Sequence, residues 1–330
     1  MVIAEIGVNH NGDVELAKHL IDAAKASGAD VAKFQVFEAE RLVTVDAPSA
    51  GYQTKNTGKK QHQIQLLQGL ELSYSHFEEL RDYCQAIDIE LMASGFSIED
   101  IETIVALGVK RLKIPSGEIT NLPYLRVAAS HKLPIILSTG MATIDEVQDA
   151  LVVMEESGLD RLHATVLHCT TDYPTPLEDV NLRAMLTLRD ELQVEVGYSD
   201  HTGGITVAPI AVGLGARVIE KHLTLDQSLP GPDHLASLEP ADFAAMVRDI
   251  RIVEKILGNG QKNPTKAEEA NRLIARKSLV AARDIAVGEE FSLDNLAAKR
   301  PGSGISPMEW DRMIGTKATR HYSADELIKP

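Results

Sequence analysis

Eight short β-branched, apolar runs alternate with amphipathic helical segments over residues 2–258, and this alternation restricts the fold more than any other feature of the chain. The strand-like runs are 2–8 (VIAEIGV), 31–37 (VAKFQVF), 90–96 (ELMASGF), 111–117 (RLKIPSG), 134–140 (PIILSTG), 164–170 (ATVLHCT), 195–200 (EVGYSD) and 218–224 (VIEKHLT). Between them lie helical patterns such as 16–28, 76–88, 98–108 and 143–158, and 239–258 closes the series with a Glu-Pro helix start. Several segments end in glycine (Gly28, Gly108, Gly158, Gly215), as a helix that stops in a left-handed conformation requires. Eight strand–helix units at this length predict a TIM (β/α)8 barrel over residues 1–258. A doubly wound sheet is the runner-up, but the Gly-rich nucleotide turn that accompanies it is absent.

One long interruption, 38–75, contains AGYQTKNTGKKQHQIQ and reads as an elaborated loop at the barrel mouth after the second strand. Beyond the barrel, 259–275 reads as a polar linker. Residues 276–330 read as a β-rich module too small to rely on its own core, so it is expected to dock elsewhere. Acidic residues number 48 against 33 basic, for a net charge of −15. A surface that grips phosphate backbones carries the opposite bias, so neither nucleic acid nor a membrane is an expected partner. Only Cys84 and Cys169 are present, and MVIAEIGVNH lacks a signal-peptide pattern; a reducing cytoplasm is the expected location.

In a TIM barrel the chemistry sits at the C-terminal strand ends. In strand order these ends offer Glu5 with Asn9 and His10, Lys33 and Gln35, Ser94, Lys113 and Ser116, and Ser138 with Thr139. Strand 6 offers His168 to Tyr173, strand 7 Ser199, Asp200 and His201, and strand 8 Glu220 and His222. His201 and His222 end consecutive strands, where two neutral imidazoles can share a divalent metal. Lys33 and Lys113 interrupt apolar strands, where an unpaired ammonium costs several kcal/mol. Either they pair with Glu5 or Glu220, or they receive a phosphorylated or carboxylated substrate. Ser116-Gly117 and Ser138-Thr139-Gly140 add hydroxyls and N–H groups at helix starts, a setting that favours anions.

His168 reads equally as a core histidine satisfied by backbone. Asp200 reads as an orienting partner of His201 or as a helix cap. The turn LPGPDH (229–234) either places Asp233 beside the mouth or is a plain turn. From the residues alone, a metal-dependent lyase or transferase for an anionic substrate leads.

The ordered set EIGVNHNG (5–12), KFQVF (33–37), KIPSGEITNLPYL (113–125), ILSTGMATIDE (136–146) and LHCTTDYPTP (167–176) resembles the sialic acid (N-acetylneuraminate) synthases, including legionaminate and pseudaminate synthases. GYSDHT (197–202), EKHLTLD (220–226), GPDHLASLEP (231–240) and KRPGSGISPMEW (299–310) extend the resemblance to the C-terminal region. It implies a TIM barrel followed by an antifreeze-like (SAF) domain that covers the partner's active site in a domain-swapped homodimer. It implies an enzyme that condenses phosphoenolpyruvate with an N-acetylmannosamine-type sugar and expels phosphate by C–O cleavage.

By motif, His201 and His222 look like ligands of a divalent metal, usually Mn2+, with Mg2+ or Co2+ as alternatives. Lys33, Lys113, Ser116, Ser138 and Ser199 look like phosphoenolpyruvate contacts. Glu5, Gln35, Tyr173 and Asp233 look like sugar- or water-side groups, and Arg300 like the arginine lent by the swapped domain. The expected product is N-acetylneuraminate. N,N'-diacetyllegionaminate, from 2,4-diacetamido-2,4,6-trideoxymannose, is the alternative, and a non-catalytic carbohydrate-binding protein is the reading from another class. ASGFS (93–97) departs from the family pattern, with Ser94 in place of a phosphate-binding threonine. Thr170 or Thr171 stands where asparagine is common.

Overall fold

Eight parallel strands close into a barrel in sequence order in the computed structural model, which describes residues 1–49, 51 and 62–329. They are β1 (Val2–Gly7), β2 (Val31–Val36), β3 (Glu90–Gly95), β4 (Leu112–Ile114), β5 (Ile135–Ser138), β6 (Ala164–Cys169), β7 (Glu195–Asp200) and β8 (Ile219–His222). β1 pairs with both β2 and β8, which seals the sheet and leaves no exposed edge. The TIM barrel expected from the alternation is the observed architecture.

Side chains two residues apart along a strand share a face, so each strand sends one row into the barrel and one outward. The outward row (Ala4, Ile6, Phe34, Ala93, Ile114, Val196) packs on helical residues such as Leu20, Phe77, Ile101, Leu151 and Phe243. Asp13, Ser97 and Thr143 start three of those helices, accepting backbone N–H groups, and Glu146 completes a capping box with Thr143. The inward row begins with an apolar floor of Ile3, Val31, Met92, Ile136, Leu167 and Val218. Two residues further along the same strands come Glu5, Lys33, Ser94, Ser138, Cys169 and Glu220. The barrel interior therefore changes from hydrocarbon to charge within one pleat.

β7 contributes Gly197 to the floor and Ser199 above it. A Cβ at Gly197 would lie 2.3 Å from Val218 O and 2.6 Å from a Leu167 methyl, so the floor closes only around a glycine. Gly197→Ala is expected to overpack this layer and destabilise the barrel by about 1–3 kcal/mol. A thermal melt checks it: the midpoint should fall several degrees, and a wild-type midpoint would refute the overpacking.

The 38–75 segment is more ordered at its ends than a loop. Short helices Ala39–Leu42 and Gln63–Gln68 flank it, and Phe37, Ala39, Leu67 and Leu70 build an apolar cluster with Val8. Most of the AGYQTKNTGKK stretch lies outside the described residues.

The chain divides into two units, Met1–Gly258 and Asn259–Pro330. In the second, β9 (Ser278–Ala281) pairs antiparallel with β10 (Leu296–Lys299) over a core of Leu279, Ile285, Phe291, Tyr322 and Ile328. The reading of 259–275 as plain linker is corrected: Lys266–Ala275 is a helix. Its start is a capping box, with Thr265 accepting from Glu268 N while the Glu268 carboxylate takes Thr265 N–H. Among the described residues no helix is long and apolar enough to cross a membrane.

Candidate active site

Twelve of the candidates line one cavity of about 330 Å³ at the C-terminal strand ends: Glu5, Lys33, Gln35, Ser94, Lys113, Ser116, Ser138, Tyr173, Ser199, His201, His222 and Asp233. Glu220 sits among them, at the centre of the charges. Lys33 Nζ lies 2.9 Å from Glu5 Oε2 and 3.4 Å from Glu220 Oε1, all three side chains being buried. Lys113 Nζ stands 3.8 Å from Glu220 Oε2 and donates to Ser138 Oγ at 2.7 Å. Ser199 donates to Glu220 Oε1 at 3.1 Å, and Gln35 Nε2 donates to Glu5 Oε1 at 2.8 Å. Of the two sequence readings for the lysines, pairing with barrel carboxylates is the one seen, and the paired lysines still face the cavity.

Strand register explains the network. Glu5 is level with Lys33 and with His222, Ser94 with Lys113, and Ser199 with Glu220, so one turn of the barrel interior brings them together. Burial would raise the Glu220 carboxyl, but Lys113 and Lys33 outweigh it and hold the group down at about 2. Burial raises Glu5, with the Lys33 charge opposing. For Lys33 the burial penalty is outweighed by Glu220 and Glu5, and its ammonium is stabilised. Lys113 is pushed down by burial, its partner carboxylate being farther away.

On the β4–β5 side the cavity presents hydroxyls. Ser116 Oγ accepts from Gly140 N at 2.9 Å. A Cβ at Gly140 would meet Thr171 Oγ1 at 2.2 Å and Ser116 Oγ at 3.0 Å, so any larger residue there must push these hydroxyls aside. On the β7–β8 side stand the two imidazoles, their ring centres 5.6 Å apart, with Tyr173 4.2 Å from His201. Burial, reinforced by its His222 neighbour, takes His201 down to about 3; burial and Lys33 do the same to His222. Both rings are therefore neutral near pH 7. Asp233 is raised to about 7 by burial and by the charge of Glu5.

The pair suits a metal. His201 Nδ1 lies 2.7 Å from Thr170 O and so donates to it, leaving Nε2 as the lone-pair nitrogen, 3.2 Å from Ser199 Oγ. His222 Nδ1 is buried with no hydrogen-bond partner among the described residues, 3.9 Å from Asp233 Oδ2. Among the described residues no group of three or more His, Cys, Asp or Glu is arranged to hold an ion. Two imidazoles on one wall of the cavity are what the described residues could offer an ion.

Other candidates fall elsewhere. Asp200 neither orients His201 nor caps a helix: it faces outward and pairs with Lys221 at 3.0 Å, both fully buried, while accepting from Thr202. The His168 ring is satisfied by Val180 O at 2.9 Å, away from the cavity. Asn9 and His10 do not line it. Arg300 belongs to the C-terminal unit, where its Nε donates to Ala275 O. Sequence reasoning missed the apolar wall of the cavity, Val8, Phe37, Leu42, Leu67, Leu70 and Phe96, because apolar side chains carry no chemistry that marks a site.

The NeuB family model matches residues 20–262 and the SAF domain model residues 276–330. N,N'-diacetyllegionaminic acid synthase of Campylobacter jejuni is 48% identical over 329 residues, covering 100% of this chain and 98% of the relative. The enzyme of the same name from Legionella pneumophila is also 48% identical, covering 99% of this chain and 92% of the relative. Among solved structures, N-acetylneuraminic acid (sialic acid) synthetase of Leptospira borgpetersenii aligns with a TM-score of 0.73 and 32% identity, over 82% of this chain and 89% of that one. With its barrel, its C-terminal SAF domain and relatives matched along nearly their whole length, the chain belongs to the NeuB family.

Proposed function

We propose that this protein is an N,N'-diacetyllegionaminate synthase, condensing phosphoenolpyruvate with 2,4-diacetamido-2,4,6-trideoxymannose and releasing phosphate by C–O cleavage. The reading prefers the sequence alternative to N-acetylneuraminate. Two relatives named for legionaminic acid match at 48% identity, against 32% for the sialic acid synthetase of known structure. The observation that carries the chemistry is a buried cavity holding two lysines beside two neutral imidazoles.

Lys33, Lys113, Ser116, Ser138 and Ser199 take the carboxylate and phosphate of phosphoenolpyruvate. Preorganised charge in an enclosed pocket is most effective there. Ser94 keeps a hydroxyl beside Lys33, at 3.3 Å, in place of the family's threonine. Gln35, Tyr173 and Asp233 meet the sugar, whose C1 aldehyde is attacked by C3 of phosphoenolpyruvate. Glu5, paired with Lys33 at 2.9 Å, takes the proton of the water that adds at C2. His201 and His222 hold a divalent cation, Mn2+ first and Mg2+ or Co2+ next, which when bound polarises the aldehyde. Arg300 completes the site from the SAF domain of a swapped homodimer. The enzyme works in the cytoplasm, where Cys84 and Cys169 stay free.

A phosphate-release assay with each sugar tests the assignment. The diacetamido sugar should give a kcat/KM at least tenfold above N-acetylmannosamine. The reverse order would return the reading to N-acetylneuraminate.

A further inference from the structure

Asn9, His10 and the turn LPGPDH stand out in the sequence, yet the proposed chemistry uses only Asp233 from among them. Asp233 lies on the turn that follows β8, 8% exposed, with its carboxylate against the His222 ring. Side chains of the loop after β1 hold that turn from behind. Asn9 Nδ2 donates to Leu223 O and to Ser237 Oγ, each at 2.9 Å. Ser237 Oγ in turn donates to the carbonyl of Asp233 at 2.7 Å.

A second chain of bonds runs through His234, which is 1% exposed. Its Nδ1 is 2.7 Å from Thr224 Oγ1 and its Nε2 3.2 Å from Asn11 Nδ2. The Thr224 hydroxyl spends its proton on Asp226 O at 3.1 Å, so it accepts from His234 Nδ1–H. Nε2 then accepts from Asn11, and the neutral ring is satisfied at both ends. None of Asn9, Asn11, Thr224, His234 and Ser237 lines the cavity. Thr224 lies two residues after His222, and His234 directly follows Asp233, so this ring ties the two cavity groups through one buried imidazole.

We propose that Asn9, Thr224, His234 and Ser237 are positioning residues: a buried brace between the β1 loop and the segment after β8 that fixes Asp233 relative to His222 for the sugar. The proposal rests on Asp233 being a sugar-side group. The brace has two independent arms, so cutting one loosens the carboxylate without removing any group that touches substrate. A rigid support of this kind affects the rate steeply, because small misplacements of a reacting group are costly.

The test uses Thr224→Val, which keeps the shape and deletes the hydroxyl, beside Thr224→Ser, which keeps the hydroxyl. Thr224→Val should raise the sugar KM or lower kcat about tenfold with the phosphoenolpyruvate KM within twofold, and Thr224→Ser should return both to within threefold of wild type. In an Asp233→Asn background Thr224→Val should have no further effect, since the group it positions is gone. Additive losses, equal changes in both KM values, or unchanged kinetics would overturn the brace. Should Thr224→Val fail to fold, Ser237→Ala cuts the other arm and is read the same way. If the wild type releases phosphate with neither sugar, the substrate reading fails by itself. The brace is then decided by hydrogen exchange of the 226–237 amides, which Thr224→Val must speed at least tenfold.

Discussion

Lys113→Met is expected to lower kcat/KM about 10³-fold while leaving the unfolding temperature within a few degrees of wild type. Lys113 is the less compensated cation of the cavity: its nearest carboxylate oxygen is 3.8 Å away, and burial already disfavours its charge. The folded chain gains little from that ammonium, whereas a phosphorylated, carboxylated substrate supplies the counter-charge it lacks. Methionine fills similar volume without the charge. Glu220 keeps Lys33 and the Ser199 hydroxyl after the substitution.

Lys33→Met should behave differently. It leaves Glu5 and Glu220 facing each other with their shared cation gone, and stranding buried charges in this way costs about 3–5 kcal/mol. Activity and stability should fall together, by roughly 10 °C for a unit of this size. Steady-state kinetics and thermal melts on the two variants separate the roles. A Lys113→Met enzyme within tenfold of wild type would remove Lys113 from the substrate site, and two variants equally unstable would contradict the charge assignment.

The parity of the strands was readable in the sequence and accounts for most of the site. An apolar residue followed two positions later by Glu5, Lys33, Ser94, Ser138 or Glu220 marks the step from floor to cavity. The same parity excludes Asp200: if Ser199 and His201 face inward, the residue between them faces out. Its partner Lys221 lies between Glu220 and His222, level with Asp200 on the neighbouring strand, and faces out by the same parity.

The Lys266–Ala275 helix lay hidden for another reason. Its Ala267, Ala270, Leu273 and Ile274 do recur at helical spacing behind the Thr265–Glu268 capping box, but all are exposed and the polar, Gly- and Pro-bearing stretch before them dominates the pattern. The brace behind Asp233 joins residues more than 200 positions apart, Asn9 to Ser237 and Asn11 to His234. Only the closure of β1 on β8 brings these loops together, and no local pattern encodes that.

Removal of divalent metal is expected to abolish turnover, and His222→Ala to weaken Mn2+ binding at least a hundredfold without unfolding the barrel. If the two imidazoles are the protein's ligands, with no third side chain joining them among the described residues, loss of either would remove half the protein's hold on the ion. His201 is fixed by its bond to Thr170 O, which leaves Nε2, 3.2 Å from Ser199 Oγ, as the nitrogen an ion would take. His222 carries a buried Nδ1 without a hydrogen-bond partner among the described residues, and such a group is costly to the metal-free fold. Its removal should therefore leave the metal-free melting temperature unchanged or slightly higher, while the metal-dependent increment disappears. Imidazole ligands suit transition ions better than Mg2+, so Mn2+ or Co2+ should restore a chelator-treated enzyme at lower concentration than Mg2+. Electron paramagnetic resonance of titrated Mn2+ reads binding independently of turnover. Full activity after exhaustive chelation, or wild-type Mn2+ affinity in His222→Ala, would show that the paired histidines serve the substrate rather than a metal.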